Sequence, residues 1–78
     1  MRKQFTVLDF NTMSIDEQAN IAITGNFLGD RREGKFIVQL HRLDNFYVEV
    51  FYDPLKNEIV RYEGFTNRNR LAPYIKLN

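Results

Sequence analysis

The sequence contains few side chains of the types that carry out chemistry. It has one histidine, His41, one serine, Ser14, and no cysteine. Without cysteine there is neither a catalytic thiolate nor a thiolate metal site, and a single imidazole with no second ligand at a suitable spacing does not predict a metal centre. We therefore expect no metal and no cofactor, and we interpret His41 as a half-exposed histidine in a strand.

The remaining polar residues do not form a catalytic motif either. Ser14 lies outside any G-x-S-x-G sequence, and the ten acidic residues are spread over loops, turns and strands, so that nothing selects a carboxylate pair. The glycines at 25, 29 and 34 fit no phosphate-binding loop. The sequence therefore predicts a protein without enzymatic activity.

Length and composition indicate one small folded domain over residues 1–78. The chain is 44% hydrophobic and 14% aromatic, with a formal net charge of +1, which gives no indication of a polyanionic partner. No apolar run approaches the ~20 residues that a membrane span needs, and the N-terminus has no apolar region of a signal peptide. We expect no membrane association and a cytoplasmic location, which the absence of cysteine fits.

A helix is predicted over residues 15–24. Ser14 and Glu17 have the spacing of a capping box, and Gly25 is suited to end the helix. The apolar positions follow a helical period and predict one buried stripe of Ile15, Ala19, Ala22 and Ile23.

The segments on either side of the predicted core are less regular. Residues 1–11 are interpreted as a short edge strand or an extended segment, and residues 29–35 as a polar loop with two glycines. The C-terminal residues predict a helical turn from Asn67, a break, and then residues 73–77 held by Tyr74, Ile75 and Leu77, because Pro73 prevents a long regular helix.

Three strands, KFIVQLHRL, NFYVEVFYD and EIVRYEGF, are predicted to form an antiparallel meander. Taking Leu43-Asp44-Asn45 as a three-residue turn pairs Leu40 with Val48 and Val38 with Val50, which collects the apolar residues on one face. A two-residue turn would pair Leu40 with Glu49 and mix the faces, so the three-residue turn is favoured.

The second connection and the third strand complete the predicted sheet. Residues 53–57 have the composition of a type I turn, with Pro54 at its second position and Asn57 suited to a left-handed conformation. The period of three between Ile59, Tyr62 and Phe65 needs a bulge near Arg61 or Gly64. The predicted fold class is α+β, with an N-terminal helix, a three-stranded antiparallel meander and a short C-terminal helix.

Several stretches of the chain resemble a group of short bacterial proteins that have no assigned activity. The matching pieces are Glu17-Gln18, GNFLGDR at 25–31, LDNFYVEVFYD at 43–53, residues 57–59, Phe65 and LAPYI at 71–75. The resemblance covers most of the chain and implies the same helix, meander and terminal helix. It implies no catalytic residue.

The predicted register leaves a second sheet face that is partly apolar. Ile37, His41, Tyr47 and Phe51 lie on this face and are the candidate binding residues. Sheet faces with aromatic residues are typical of protein contacts, so we expect a protein partner, most simply a second copy in a homodimer.

Nucleic-acid binding is the alternative function. It would use Arg31, Arg32 and Lys35, with Arg68 and Arg70 as a second basic pair and the aromatic residues of the sheet as stacking platforms. The strand FYVEVFY lacks the glycine and basic residues of RNA-recognition strands, and Glu49 in its middle would repel phosphate. The sequence therefore favours protein binding over nucleic-acid binding.

Overall fold

Two short helices, a four-stranded sheet and a 3-10 helix follow one another along the chain in the computed structural model, which describes residues 6–75. The elements are α1 (Val7–Asn11), α2 (Ile15–Ala22), β1 (Asn26–Glu33), β2 (Phe36–Arg42), β3 (Tyr47–Asp53), β4 (Glu58–Phe65) and the 3-10 helix Arg68–Tyr74. The strands are antiparallel and lie in the order β1-β2-β3-β4. The predicted α+β class is confirmed, but the meander has four strands where three were predicted.

The additional strand is β1, most of which lies in the segment 29–35 that was predicted to be a polar loop. Residues 30–33 are all charged, so this strand carries no alternating apolar pattern that sequence reasoning could recognise. Gly34 and Lys35 form the turn into β2, where Gly34 has a positive φ of 58°. The strand is stable as an edge because Arg31 points onto the sheet and is paired with the carboxylate of Glu49.

The turn between β2 and β3 is one residue shorter than predicted. The Leu43 amide donates to the Phe46 carbonyl at 2.8 Å, and this bond encloses Asp44 and Asn45. The predicted three-residue turn Leu43-Asp44-Asn45 is therefore wrong, and the register of the two strands moves by one residue.

The register that the sequence analysis rejected is the one in the structure, with Leu40 paired to Glu49. Val38, Leu40, Val48 and Val50 are all buried, as predicted, but they do not share a face. Val48 is paired with His41 and Val38 with Phe51, and directly paired residues of antiparallel strands project from the same side of a sheet. Val38 and Leu40 therefore lie on one face, and Val48 and Val50 on the other.

The prediction failed because both faces of this sheet are covered. The helix face, which carries Val48, Val50 and Tyr62, packs against α1 and α2. The opposite side is here called the arginine face, because it carries Arg31 and Arg61. Its buried apolar residues are Val38, Leu40, Phe51 and Phe65. With apolar residues buried on both sides, collecting them on one face does not select the register.

The N-terminal residues 7–11 are helical, which corrects the prediction of a strand or extended segment for them. Thr6 and Asp9 form a capping box, with the Asp9 amide 3.1 Å from Thr6 Oγ1. Phe10 of α1 is fully buried among aromatic and aliphatic residues of the helix face. Residues 1–5, which belonged to the same prediction, lie outside the described residues.

The predicted helix from Ile15 is confirmed with its capping box, but its buried side differs. The helix ends at Ala22, and Ile15 and Ile23 of the predicted stripe are exposed. Gln18 is buried in their place and donates through Nε2 to the Phe10 carbonyl at 2.9 Å. Sequence reasoning missed this because α1, which supplies the acceptor, had not been predicted.

The later connections follow the sequence analysis more closely. Asn57 has a φ of 53°, and Asp53 Oδ1 accepts from the Leu55 amide at 3.0 Å, as expected of the predicted turn. The irregularity in β4 lies between Ile59 and Arg61, next to the first of the two predicted bulge sites.

The C-terminal segment corrects the predicted break. A single 3-10 helix includes Pro73, and Asn67 Oδ1 caps it by accepting from the Asn69 amide at 2.9 Å. Ile75, which was predicted to hold the segment down, is exposed, whereas Tyr74 is half-buried. Leu77 lies outside the described residues.

We predict that Gly25→Ala destabilises the protein because of a close backbone approach. A Cβ at this position would lie 2.8 Å from the Arg42 carbonyl oxygen and 2.9 Å from Leu43 Cδ2. The free energy of unfolding, measured by urea denaturation, should fall by about 1–3 kcal/mol. Gly29→Ala is the matched control, because its Cβ would meet only Tyr74 Cδ1 at 3.9 Å. If the two variants were equally stable, the close packing of Gly25 against Arg42 at the end of β2 would be contradicted.

Candidate functional site

The four residues that the sequence analysis proposed for protein binding do not form one surface. Ile37 and His41 are paired with Tyr52 and Val48 and lie on the helix face, whereas Tyr47 and Phe51 lie on the arginine face. Phe51 is also buried, with 2% of its surface exposed and the Arg61 guanidinium 3.8 Å from its ring centroid. The register shift of one residue is the cause, since it exchanges the faces of one strand relative to the other.

The basic residues of the nucleic-acid alternative are also divided. Arg31 and Arg70 both form ion pairs with Glu49, and Lys35 lies 3.9 Å from Asp53. Arg32 and Arg68 are exposed and form no ion pair with any residue in 6–75. The structure thus brings Arg31 and Arg70 together around a carboxylate and does not bring the five residues into one basic patch.

Glu49 is the centre of the polar network on the arginine face. Its Oε2 accepts from Arg31 Nη2 at 3.0 Å and from the Tyr74 hydroxyl at 2.6 Å, and its Oε1 accepts from Arg70 Nη2 at 2.6 Å. Arg70 also donates to Glu63, the cross-strand neighbour of Glu49, at 2.9 Å. The sequence analysis recognised neither the burial of Glu49, which is 1% exposed, nor its arginine partners, because these lie far away in the sequence.

The electrostatics of this network favour the charged forms of Glu63 and Arg31 and the neutral form of Tyr74. Burial alone would raise the pKa of Glu63, but hydrogen bonds and charge from Arg61 and Arg70 outweigh it and lower that pKa. Burial opposes the charged form of Arg31 as well, yet its bonds to Glu33 and Glu49 raise the pKa of its guanidinium. Burial and the bond to Glu49 raise the pKa of Tyr74. These groups are paired with one another, and Glu49 has no exposed surface with which to meet a substrate.

An apolar area remains open on the part of the helix face formed by β1 and β2. Both helices pack mainly against β4, which leaves Phe27 with 55% of its surface exposed and Ile37 half-buried. The ring of His41 contacts Phe27 edge-on, with 5.7 Å between the centroids. Its Nδ1 is buried and has no hydrogen-bond partner among residues 6–75, and burial lowers the pKa of the imidazole. His41 is therefore neutral near pH 7 and belongs to this apolar area.

The outer edge of β1 adjoins this area. β1 is the first strand of the sheet, and no strand of the described chain pairs with its outer side. Asp30 and Arg32 lie on the helix face in this edge, both exposed and without an ion pair to any described residue. The edge of β1 together with Phe27, Ile37 and His41 is the candidate functional site. Sequence reasoning had assigned most of β1 to a loop, and only Ile37 and His41 of this site were proposed.

Comparison with protein-family models, curated proteins and solved structures gave no match to this chain. The resemblance to short bacterial proteins therefore stays a prediction. None of the helices in residues 6–75 is long and apolar enough to cross a membrane. Over the same range, no group of three or more His, Asp and Glu residues is placed to hold a metal ion.

We predict that Glu49→Gln strongly destabilises the protein. The change removes the buried charge that Arg31 and Arg70 share, although Glu33 and Glu63 remain beside them, and the loss of hydrogen bonds to a buried charged group costs about 1.5–3 kcal/mol. Urea denaturation of this variant should show the loss, and Glu58→Gln on an exposed position is the control. A Glu49→Gln variant as stable as Glu58→Gln would show that the carboxylate charge is not needed.

The lowered pKa of Glu63 predicts a particular dependence of stability on pH. Because the folded state holds this pKa below the ordinary 4.5, the carboxylate contributes stability above pH 4.5 that is lost as the pH falls through the folded-state pKa. The difference in free energy of unfolding between wild type and Glu63→Gln should therefore be constant near neutral pH and shrink below pH 4.5. A difference that stays constant through this acidic range would contradict the pairing with Arg61 and Arg70.

Proposed function

We propose that this protein is a non-enzymatic protein-interaction module that joins a second copy of itself through the outer edge of β1. The observation that supports this most directly is the open edge of Asn26–Glu33 with opposite charges at Asp30 and Arg32. The proposal replaces the sheet face that the sequence predicted for the contact and keeps the predicted partner and cytoplasmic location.

An open strand edge is a ready-made surface for protein association. Every second residue along it directs an amide N–H and a carbonyl away from the sheet, and a strand of a partner can pair with them. β1 has eight residues, which is long enough for such a ladder.

Two-fold symmetry restricts the registers that two β1 edges can adopt. In an antiparallel pair, two directly opposed residues project from the same face of the sheet. Side chains alternate between the faces, so in a two-fold pair of β1 strands the opposed residues are an even number of positions apart in the sequence. One residue of β1 must therefore lie opposite its own copy. With Arg31 at the centre, Asp30 of each copy lies opposite Arg32 of the second copy. Two favourable pairs form on the helix face, and the Arg31 guanidinium groups stay directed towards Glu49 and Glu33 of their own chains.

The neighbouring registers are less favourable. If Asp30 lies opposite its own copy, two carboxylates face each other. If Arg32 lies opposite its own copy, two guanidinium groups face each other, and unlike those of Arg31 they have no ion pair to any described residue. The bulge at Leu28 and the charged residues of the strand oppose non-specific edge pairing. These features favour one defined dimer over open-ended aggregation.

Nucleic-acid binding has less support as a function of the same surface. Of the basic residues near the edge, Arg31 is already neutralised by Glu33 and Glu49, and Arg32 is accompanied by Asp30. Binding of nucleic acid through a small basic area would weaken steeply with salt, whereas a ladder of backbone hydrogen bonds would not.

We predict that reversal of either edge charge weakens self-association and that exchange of the two restores it. In the Arg32→Asp dimer, Asp30 of each copy faces an aspartate at position 32 of the other copy. In the Asp30→Arg dimer, Arg32 of each copy faces an arginine at position 30. Each variant thus has two repulsive pairs, and its dissociation constant should rise roughly tenfold or more. In the double variant Asp30→Arg/Arg32→Asp the pairs are attractive again, and the wild-type constant should return. Sedimentation equilibrium measures these constants directly.

The control is Lys56→Asp, which reverses an exposed charge in the turn between β3 and β4. It should leave the dissociation constant unchanged. A wild-type protein that sediments as a monomer at high concentration would show that self-association is wrong. Equal weakening by Arg32→Asp and Lys56→Asp would mean that the copies meet elsewhere. If a short single-stranded oligonucleotide binds wild type but not Arg32→Asp, the nucleic-acid alternative is correct instead.

A further inference from the structure

The geometry points to a binding site for a phosphate group in a cleft on the arginine face, beside the turn between β2 and β3. The cleft has a volume of about 190 Å³. Its lining comprises the end of β2, the turn, the start of β3 and the chain that follows β4, with Arg42, Asp44, Asn45, Tyr47, Thr66 and Arg68 as its polar residues. This inference rests on the cleft alone and does not depend on the edge of β1.

The sheet register builds the cleft from one row of residues. Arg42 is paired with Tyr47, and Tyr47 with Phe65, so the three lie next to one another across β2, β3 and β4. The rings of Tyr47 and Phe65 are stacked, with 5.5 Å between their centroids and 24° between their planes. Thr66 and Arg68 follow Phe65 along the chain. Arg42 and Arg68 thus line a cleft in which the ring of Tyr47 is held by stacking on Phe65.

The two cleft arginines differ in their pairing from the others of this face. The remaining arginines on it, Arg31, Arg61 and Arg70, each form an ion pair with a glutamate within 3.0 Å. Arg42 and Arg68 form no ion pair and no side-chain hydrogen bond with any residue in 6–75, and both are exposed. Two guanidinium groups with free donors on one cleft are the arrangement that recognises phosphate oxygens, because each offers two parallel N–H groups.

The size and the remaining charge of the cleft define the ligand. A volume of about 190 Å³ suits a phosphate group with a few further atoms and is below the usual size of a drug-like pocket. The Thr66 hydroxyl and the Asn45 amide add uncharged donors. Asp44 opposes an anion, so the lining carries two positive charges and one negative charge. The chemical class is therefore inorganic phosphate or a small phosphomonoester.

The test is a titration with inorganic phosphate at constant ionic strength, followed by the amide NMR signals of the protein. We expect saturable shifts of the signals of residues that line the cleft. Arg42→Gln and Arg68→Gln should each raise the dissociation constant roughly tenfold. Lys56→Gln, which removes an exposed charge outside the cleft, should leave it unchanged, whereas Asp44→Asn should lower it. The spectra of the free variants show whether each one is folded.

The same titration with glycerol 3-phosphate identifies the source of the phosphate. Tighter binding of the ester assigns part of the cleft to an organic group, and equal binding assigns the site to phosphate alone. Linear shifts that are spread over the surface and do not saturate would overturn the inference. So would an Arg42→Gln variant that binds phosphate as well as Lys56→Gln does, or an Asp44→Asn variant that binds less tightly than wild type.

Discussion

A carboxylate buried on a central strand is the constraint on which the rest of the arginine face depends. A buried carboxylate needs cations and hydrogen-bond donors around it, and those of Glu49 come from two separate elements on the arginine face. Arg31 from β1 and Arg70 and Tyr74 from the C-terminal 3-10 helix meet its oxygens. The ion pairs and hydrogen bonds of Glu49 therefore hold two elements on the sheet. One is β1, an edge strand with no apolar pattern, and the other is the C-terminal 3-10 helix, which buries little else.

This network contributes more to the choice of one structure than to net stability. A buried ion pair often does little better than an apolar pair of the same volume, because the loss of hydration opposes the attraction of the charges. Its value here is positional, since the 3-10 helix has no buried residue of its own and its Tyr74 lies against β1, with the Arg31 guanidinium 5.8 Å from the ring centroid. The apolar free energy comes from elsewhere, from Phe10 and its neighbours on the helix face and from Val38 and Phe51 on the other.

The pairing of charges also separates structural cations from those available for binding. The arginine–glutamate pairs of the sheet use their donors internally, and the guanidinium groups of Arg61 and Arg70 additionally cover the rings of Phe51 and Phe65. Among the charged groups without an ion pair to residues 6–75, Asp30 and Arg32 lie in the edge of β1, and Arg42 and Arg68 line the cleft beside the β2–β3 turn. Both proposals rest on this division, the first through a strand edge with complementary charges and the second through Arg42 and Arg68.

The sequence by itself determined the local features of this protein. The capping box of Ser14 and the left-handed Asn57 each depend on residues within a few positions, and each is present in the structure. A bulge in β4 was predicted near Arg61 or Gly64, and the structure decided for the first of these. Only the tertiary structure decided the register, the fourth strand and the location of the candidate surfaces. The two possible turns after Arg42 differ by one residue, and the choice depends on whether one or both faces are covered, which local sequence does not contain. The burial of Glu49 was not predicted for the same reason, because its partners Arg31 and Arg70 lie about twenty residues away on either side.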